Sequence, residues 1–101
     1  MIGHVPPGDD TCTSEWASRL RVLQDRYQDV IRLSFFGHVH KEMFNLVRSV
    51  LPQEETTENQ TRPIGIHHWS GAMTPFDETH VAHPSFRRYI LDEITMLPIK
   101  I

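Results

Sequence analysis

Cysteine is almost missing from this sequence of 101 residues, where Cys12 stands alone. One thiol cannot staple the chain to itself, so a scaffold built on internal disulfides is excluded. Cys12 is either an ordinary unpaired thiol or one whose partner lies in another segment or chain. An excess of either charge is missing too. Ten Lys and Arg against 13 Asp and Glu leave a formal net charge of −3, which offers no electrostatic footprint for a nucleic-acid polymer or an anionic membrane. No apolar run reaches the length a bilayer span needs, so no transmembrane segment is expected. The opening MIGHVPPGDD has neither a basic n-region nor an apolar h-region, and it is not read as a signal peptide. Internal repeats and low-complexity tracts are lacking as well. Oligomeric state is left open.

What is present must fit within one domain at most. A chain of this length buries only about two-thirds of its unfolded surface, so its core is thin. A histidine, two prolines and two glycines occur before any helix or sheet can form. That start reads like the middle of a fold, and residues 1–101 are expected to be the C-terminal portion of a longer domain.

Residues 3–13 read as a loop, since Pro6-Pro7-Gly8 forbids helix. Thr13 or Ser14 can cap the helix that follows. From Glu15 to about Val30, Trp16, Leu20, Leu23, Tyr27 and Val30 or Ile31 recur at spacings of three and four, one face of an amphipathic helix. Ile31 to Phe36 reads as a short buried strand that stops at Gly37. A second strand is expected from Glu42 to Val50, with Met43, Asn45, Val47 and Ser49 on one face and Phe44, Leu46, Arg48 and Val50 on the other. Polar residues 51–63 form a surface loop containing Asn59-Gln60-Thr61, an acceptor pattern for N-glycosylation. Ile64 to Trp69 is a third strand and Phe86 to Leu91 a fourth. Residues 94–101 add a short one. The long irregular stretch 70–84 is the kind of loop that carries function or is packed by other parts of a protein.

Chemistry concentrates in the histidines. His38 and His40 sit in FFGHVH, directly after an apolar strand, and His4 sits in GHVPPG. Neutral imidazole is the commonest protein ligand for zinc, and stiff loops at strand ends hold metal geometry well. The glycine ahead of His38 and His40 is expected to let the backbone turn tightly, and His4 sits in a similar glycine-led loop. A lone Gly-His-Xaa-His is a weak motif. The longer phrase carries more: GHVPPG, an amphipathic helix, an apolar strand ending in FFGHVH, then Lys41-Glu42-Met43-Phe44.

That phrase resembles the calcineurin-like metallophosphoesterases, and within them acid sphingomyelinase and the acid sphingomyelinase-like phosphodiesterases. The resemblance rests on His4-Val5-Pro6-Pro7-Gly8, Trp16, Arg26-Tyr27, Phe35-Phe36-Gly37-His38-Val39-His40, Glu42 and Phe44, then Thr74-Pro75 and His83-Pro84-Ser85-Phe86-Arg87-Arg88-Tyr89. It spans nearly the whole chain in order. It implies an α/β fold, the C-terminal part of a four-layer αββα sandwich, with one helix and about four strands here. It implies that His4 and His38 ligate the second of two metal ions and His40 the first, with zinc the expected metal. Two such ions about 3.5–4 Å apart acidify a shared water and clamp phosphoryl oxygens. Val39 replaces the family's usual threonine, which removes a hydroxyl but no ligand. Glu42 replaces an aspartate and keeps the acid, which can orient a neighbouring histidine. His83 stands where the branch has asparagine, and no ligand role is assigned to it.

The family's Asp-Xaa-His, Gly-Asp and Gly-Asn-His motifs do not occur here in the family's context; Gly8-Asp9 follows the diproline loop, in the wrong place and without the motif's neighbours. Those motifs supply the bridging carboxylate and the proton donor, so no catalytic residue is assigned and the chain alone is expected to be inactive. The resemblance implies a phosphodiester substrate, a lipid headgroup or a nucleotide, and an extracellular or lysosomal location. His67-His68 could line the substrate cleft or form a merely hydrogen-bonded pair. A metallo-β-lactamase-like reading fails, because Lys41-Glu42-Met43 breaks the required His-Xaa-His-Xaa-Asp-His cluster. The other alternative is a small non-enzymatic domain with a structural zinc held by Cys12, His4, His38 and His40. With one side of the sheet unpaired by a second layer, Ile31, Leu33, Phe35 and Phe36 are expected to be partly exposed.

Overall fold

The structure, a computed structural model, describes residues 1–51, 61–74 and 83–100. The described residues contain one helix and five short strands in two small sheets, an α/β arrangement.

Helix α1 covers Ser14–Arg26, and Thr13 is its N-cap residue, in extended conformation. The helix stops four residues short of the expected end. At Tyr27 the backbone leaves helical geometry, and the Val30 and Ile31 amides both turn back to the Tyr27 carbonyl. The larger difference is rotational. The predicted apolar face does not meet the sheet: Trp16, Leu23, Tyr27 and Val30 are exposed, and the buried helical residues are Gln24 and Asp25.

Strands β1 (Ser34–Phe36), β2 (Met43–Arg48) and β3 (Pro63–Trp69) form a sheet in the order β1-β3-β2. β1 runs parallel to β3, with Ser34 beside His67 and Phe36 beside Trp69. β2 runs antiparallel to β3, with Phe44 opposite His68 and Leu46 opposite Ile66. Residues 3–13 form no helix or strand, as expected, and just ahead of them the chain lies along the sheet: Ile2 makes an isolated parallel bridge with Phe35, and the Gly3 and Phe35 amides bond across to Phe35 and Met1 carbonyls. A side chain at position 3 would strike the Phe36 ring, its Cβ only 2.8 Å from Cε1, so the close approach requires glycine there. β4 (Ile90–Leu91) and β5 (Pro98–Lys100) make a separate two-stranded sheet. The expected fourth strand is thus reduced to its last two residues. Residues 86–89 instead lay Tyr89 against the Phe35 and His68 rings.

The core is small and unusually polar. Phe36, Val47 and Trp69 are its buried hydrophobic residues among those described, beside buried Gln24, Asp25, Ser34, Ser49, His67 and His68. Phe36 is therefore not exposed as expected; Gly3 and the His67 ring close over it. The predicted alternation of β2 shows in burial only toward its end, where Val47 and Ser49 are buried while Leu46 and Arg48 are exposed; Met43 and Asn45, expected on the face of Val47, are exposed like Phe44. No helix among the described residues is long and apolar enough to cross a membrane. Asn59-Gln60, Pro75 and His80 lie outside the described residues.

Candidate metal-ligand site

His4 and His38 belong to adjacent parallel segments. The Gly37 amide bonds to the His4 carbonyl at 3.0 Å, which ties the end of the first segment to the end of β1. Both histidine loops consequently leave the sheet at the same end. The His4 and His38 rings meet edge to face, 5.1 Å between centroids, and His38 Nδ1 lies 3.3 Å from His4 Nε2. The spacing of 34 residues hides this neighbourhood in the sequence; the parallel pairing creates it.

The tight turn after β1 is made differently from the expectation. Left-handed backbone occurs at the histidines themselves, His38 with φ 70° and His40 with φ 58°, and not at Gly37. Few non-glycine residues adopt this region, histidine being one of those that do so more readily. His40 is half-buried, two residues beyond His38.

The loop around His4 is held by Pro6, fully buried, and by Gly8, whose φ of +92° suits glycine. That turn delivers Asp9 and Thr11 to His38. Thr11 Oγ1 donates to Asp9 Oδ1 at 2.6 Å and lies 2.9 Å from His38 Nε2. Asp9 Oδ1 also accepts the Thr11 amide at 2.9 Å, and lies 3.8 Å from His38 Nε2. These hydrogen bonds from Thr11, with a smaller contribution from His38, hold the Asp9 carboxyl below the usual carboxylate range. Sequence reading passed over both residues. Asp-Xaa-Thr, with its aspartate accepting from the residue two places on, was the available signal.

On the exit side of the histidine loop, Glu42 forms an ion pair with Arg87 through Nε. Arg87 also reaches the Tyr89 hydroxyl at 3.4 Å. Phe35, His68, Ser70, Arg87 and Tyr89 line a cavity of about 290 Å³ beside this pair. Burial first, and Arg87 second, push the His68 imidazole below its ordinary pKa. His67 points the other way, toward α1, where the Gln24 amide places its nitrogen 2.8 Å and its oxygen 3.0 Å from Nε2. Burial lowers the His67 pKa to about 4. The pair therefore splits across the sheet: His67 serves the helix seam and His68 the cavity.

Among the described residues, no group of three or more His, Cys, Asp and Glu side chains is gathered in metal-binding geometry. Of the three expected ligands, His4 and His38 are brought together. Cys12 is half-buried and its thiol donates to the Thr13 carbonyl at 3.6 Å.

No family model matches the chain. Known proteins do. The chain is 30% identical over 95 residues to sphingomyelin phosphodiesterase B of Dictyostelium discoideum, covering 94% of this chain and 14% of that protein. It is 31% identical over 93 residues to sphingomyelin phosphodiesterase 1 of Caenorhabditis elegans, covering 91% of this chain and 15% of the relative. It is 30% identical over 93 residues to human sphingomyelin phosphodiesterase, with 91% and 13% covered. The chain thus spans about one-seventh of the length of these relatives. Their names and the extent of the match support an acid sphingomyelinase-like relationship.

Proposed function

We propose that this chain supplies one side of the metal site of a zinc-dependent phosphodiesterase of the acid sphingomyelinase-like type, within the calcineurin-like metallophosphoesterases. The observation that carries the reading is the His4–His38 pair. Two imidazole nitrogens that each sit about 2.05 Å from one tetrahedral zinc stand about 3.3 Å apart. His38 Nδ1 and His4 Nε2 are 3.3 Å apart before any ion is added. That separation is compatible with two corners of one zinc site and supports the reading. His40, on the same loop, is proposed to serve the second ion. The metals would supply an acidified water and a clamp for phosphoryl oxygens.

The chain's own contribution is positional. The parallel pairing of residues 1–3 with β1 sets His4 beside His38. The bridging carboxylate and the proton donor are proposed to come from polypeptide beyond these residues, which would complete the αββα sandwich. The substrate class is proposed to be a phosphodiester lipid of the sphingomyelin kind, and the location extracellular or lysosomal, where modification of Asn59 would be available.

Zinc and cobalt titrations of the purified chain test the ligand assignment. The imidazole resonances of His4 and His38 are expected to shift together, His4→Ala or His38→Ala should abolish the response, and the cobalt spectrum should lack a thiolate band. A tetrahedral, thiolate-containing spectrum would instead support a structural site built on Cys12. Silence of both imidazoles would remove the metal reading. The chain alone is expected not to turn over bis-p-nitrophenyl phosphate, and metal-dependent turnover by it would overturn the division of the site between segments.

A further inference from the structure

We infer that Asp9 and Thr11 are positioning residues for His38, fixing which of its ring nitrogens carries the proton and leaving Nδ1 ready to meet a zinc ion. The inference deepens the metal-site reading above and rests on it for the identity of the ligand.

Thr11 has one hydroxyl proton. It is committed to Asp9 Oδ1 at 2.6 Å, and that same oxygen takes the Thr11 amide at 2.9 Å. Thr11 Oγ1 therefore presents only lone pairs to His38 Nε2, 2.9 Å away. The proton in that contact must come from Nε2. A neutral imidazole holding its proton on Nε2 has a free lone pair on Nδ1. Nδ1 is the atom that lies 3.3 Å from His4 Nε2. The series carboxylate, hydroxyl, imidazole is a lengthened form of the arrangement in which a carboxylate fixes the tautomer of a metal-ligating histidine.

The backbone makes this series stiff. Pro6 is fully buried, the Asp9 amide returns to the Pro6 carbonyl at 3.3 Å, and the Cys12 amide returns to the Asp9 carbonyl at 2.9 Å. Asp9 and Thr11 thus sit on a closed turn. The two histidines are consequently unequal. His38 already holds the tautomer a metal requires. His4 donates its Nε2 proton to His38 Nδ1 in the free chain and must move that proton to its own Nδ1 when both nitrogens turn to one ion. A single tautomer change, at His4, accompanies loading.

Nitrogen-15 NMR of the imidazole rings tests this, using the whole chain with and without zinc chloride. Wild type is expected to show His38 protonated on Nε2 in both states and His4 switching from Nε2–H to Nδ1–H. Thr11→Val should lose the His38 preference and bind zinc about tenfold more weakly, the effect typical of removing an outer partner of a ligating histidine. Thr11→Ser should keep both properties, which separates the hydroxyl's role from any general loss of folding. Asp9→Ala frees the Thr11 proton and should weaken the preference in the same direction. Retention of Nε2–H in Thr11→Val, or an Nδ1–H His38 in wild type, would overturn the inference. If zinc bound wild type and Thr11→Val equally, the positioning role would fall and the metal reading would stand. If the tautomer followed Thr11 but zinc moved neither ring, the metal reading would fall and the tautomer control would remain.

Discussion

The two faces of the three-stranded sheet are built differently. The face under α1 is covered, and buried polar groups share it with Phe36 and Val47. Gln24 reaches Ser34 Oγ at 3.2 Å and His67, while Asp25 Oδ2 accepts Ser49 Oγ and the Val50 amide, each at 2.8 Å. The other face is apolar yet open, with Ile2 86%, Phe44 66%, Leu46 49% and Ile66 39% exposed. Hydrophobic burial alone does not produce such a distribution. The helix is held by directed hydrogen bonds, which fix its position without drawing much on transfer free energy. The exposed Trp16, Leu23 and Tyr27 of α1 extend the same lesson to the helix's outer surface.

The comparison is most easily broken at Phe36, which is 3% exposed between Gly3 and His67. Phe36→Ala is expected to cost about 3–4 kcal/mol, read as a drop in the urea midpoint at unchanged slope. Acid comes next. His67 has its folded pKa lowered to about 4 from 6.5 by burial. The unfolded chain therefore takes up a proton first as pH falls, and stability declines between about 6.5 and 4, then levels once both states are protonated. The loss is on the order of 3 kcal/mol, and His67→Gln should flatten that part of the pH profile. Asp25, its carboxyl lowered by the Ser49 and Val50 hydrogen bonds, acts with the same sign further down, its contribution present above its unfolded pKa and lost as pH falls through the folded one. Gln24→Ala leaves Ser34 and His67 short of a partner inside the seam and should cost about 2 kcal/mol by thermal melting. Phe44→Ser, on the open face, should change stability by no more than about 0.5 kcal/mol while raising solubility in a sedimentation assay. A loss as large as that of Phe36→Ala would mean that the two faces are not different in kind.

Strand periodicity was legible because it depends on neighbours along the chain. Val47 and Ser49 inside with Leu46 and Arg48 outside follow directly from alternation. The helix was legible in place but not in rotation. Its apolar positions were read as the buried side, whereas Gln24 and Asp25 find partners on β1, β2 and β3 that no helical period reveals. His4 and His38 were singled out as candidates through resemblance, but their contact depends on a parallel pairing between residues 1–3 and β1. Asp9 and Thr11 were missed for a different reason. Their role needs one hydroxyl proton shared out among three side chains, a matter of distances.

Left-handed backbone at His38 and His40 has a consequence for how the loop tolerates change. Each position must satisfy a side-chain demand and a backbone demand, and the two can be separated by residue choice. Asparagine accepts the φ while altering the donor atom, whereas valine resists the φ altogether. Replacement by asparagine is therefore expected to keep the turn that leads from β1 to β2, and replacement by valine to disturb the strand that follows. The loop would carry a record of which demand had been relaxed, written in the kind of residue it accepts.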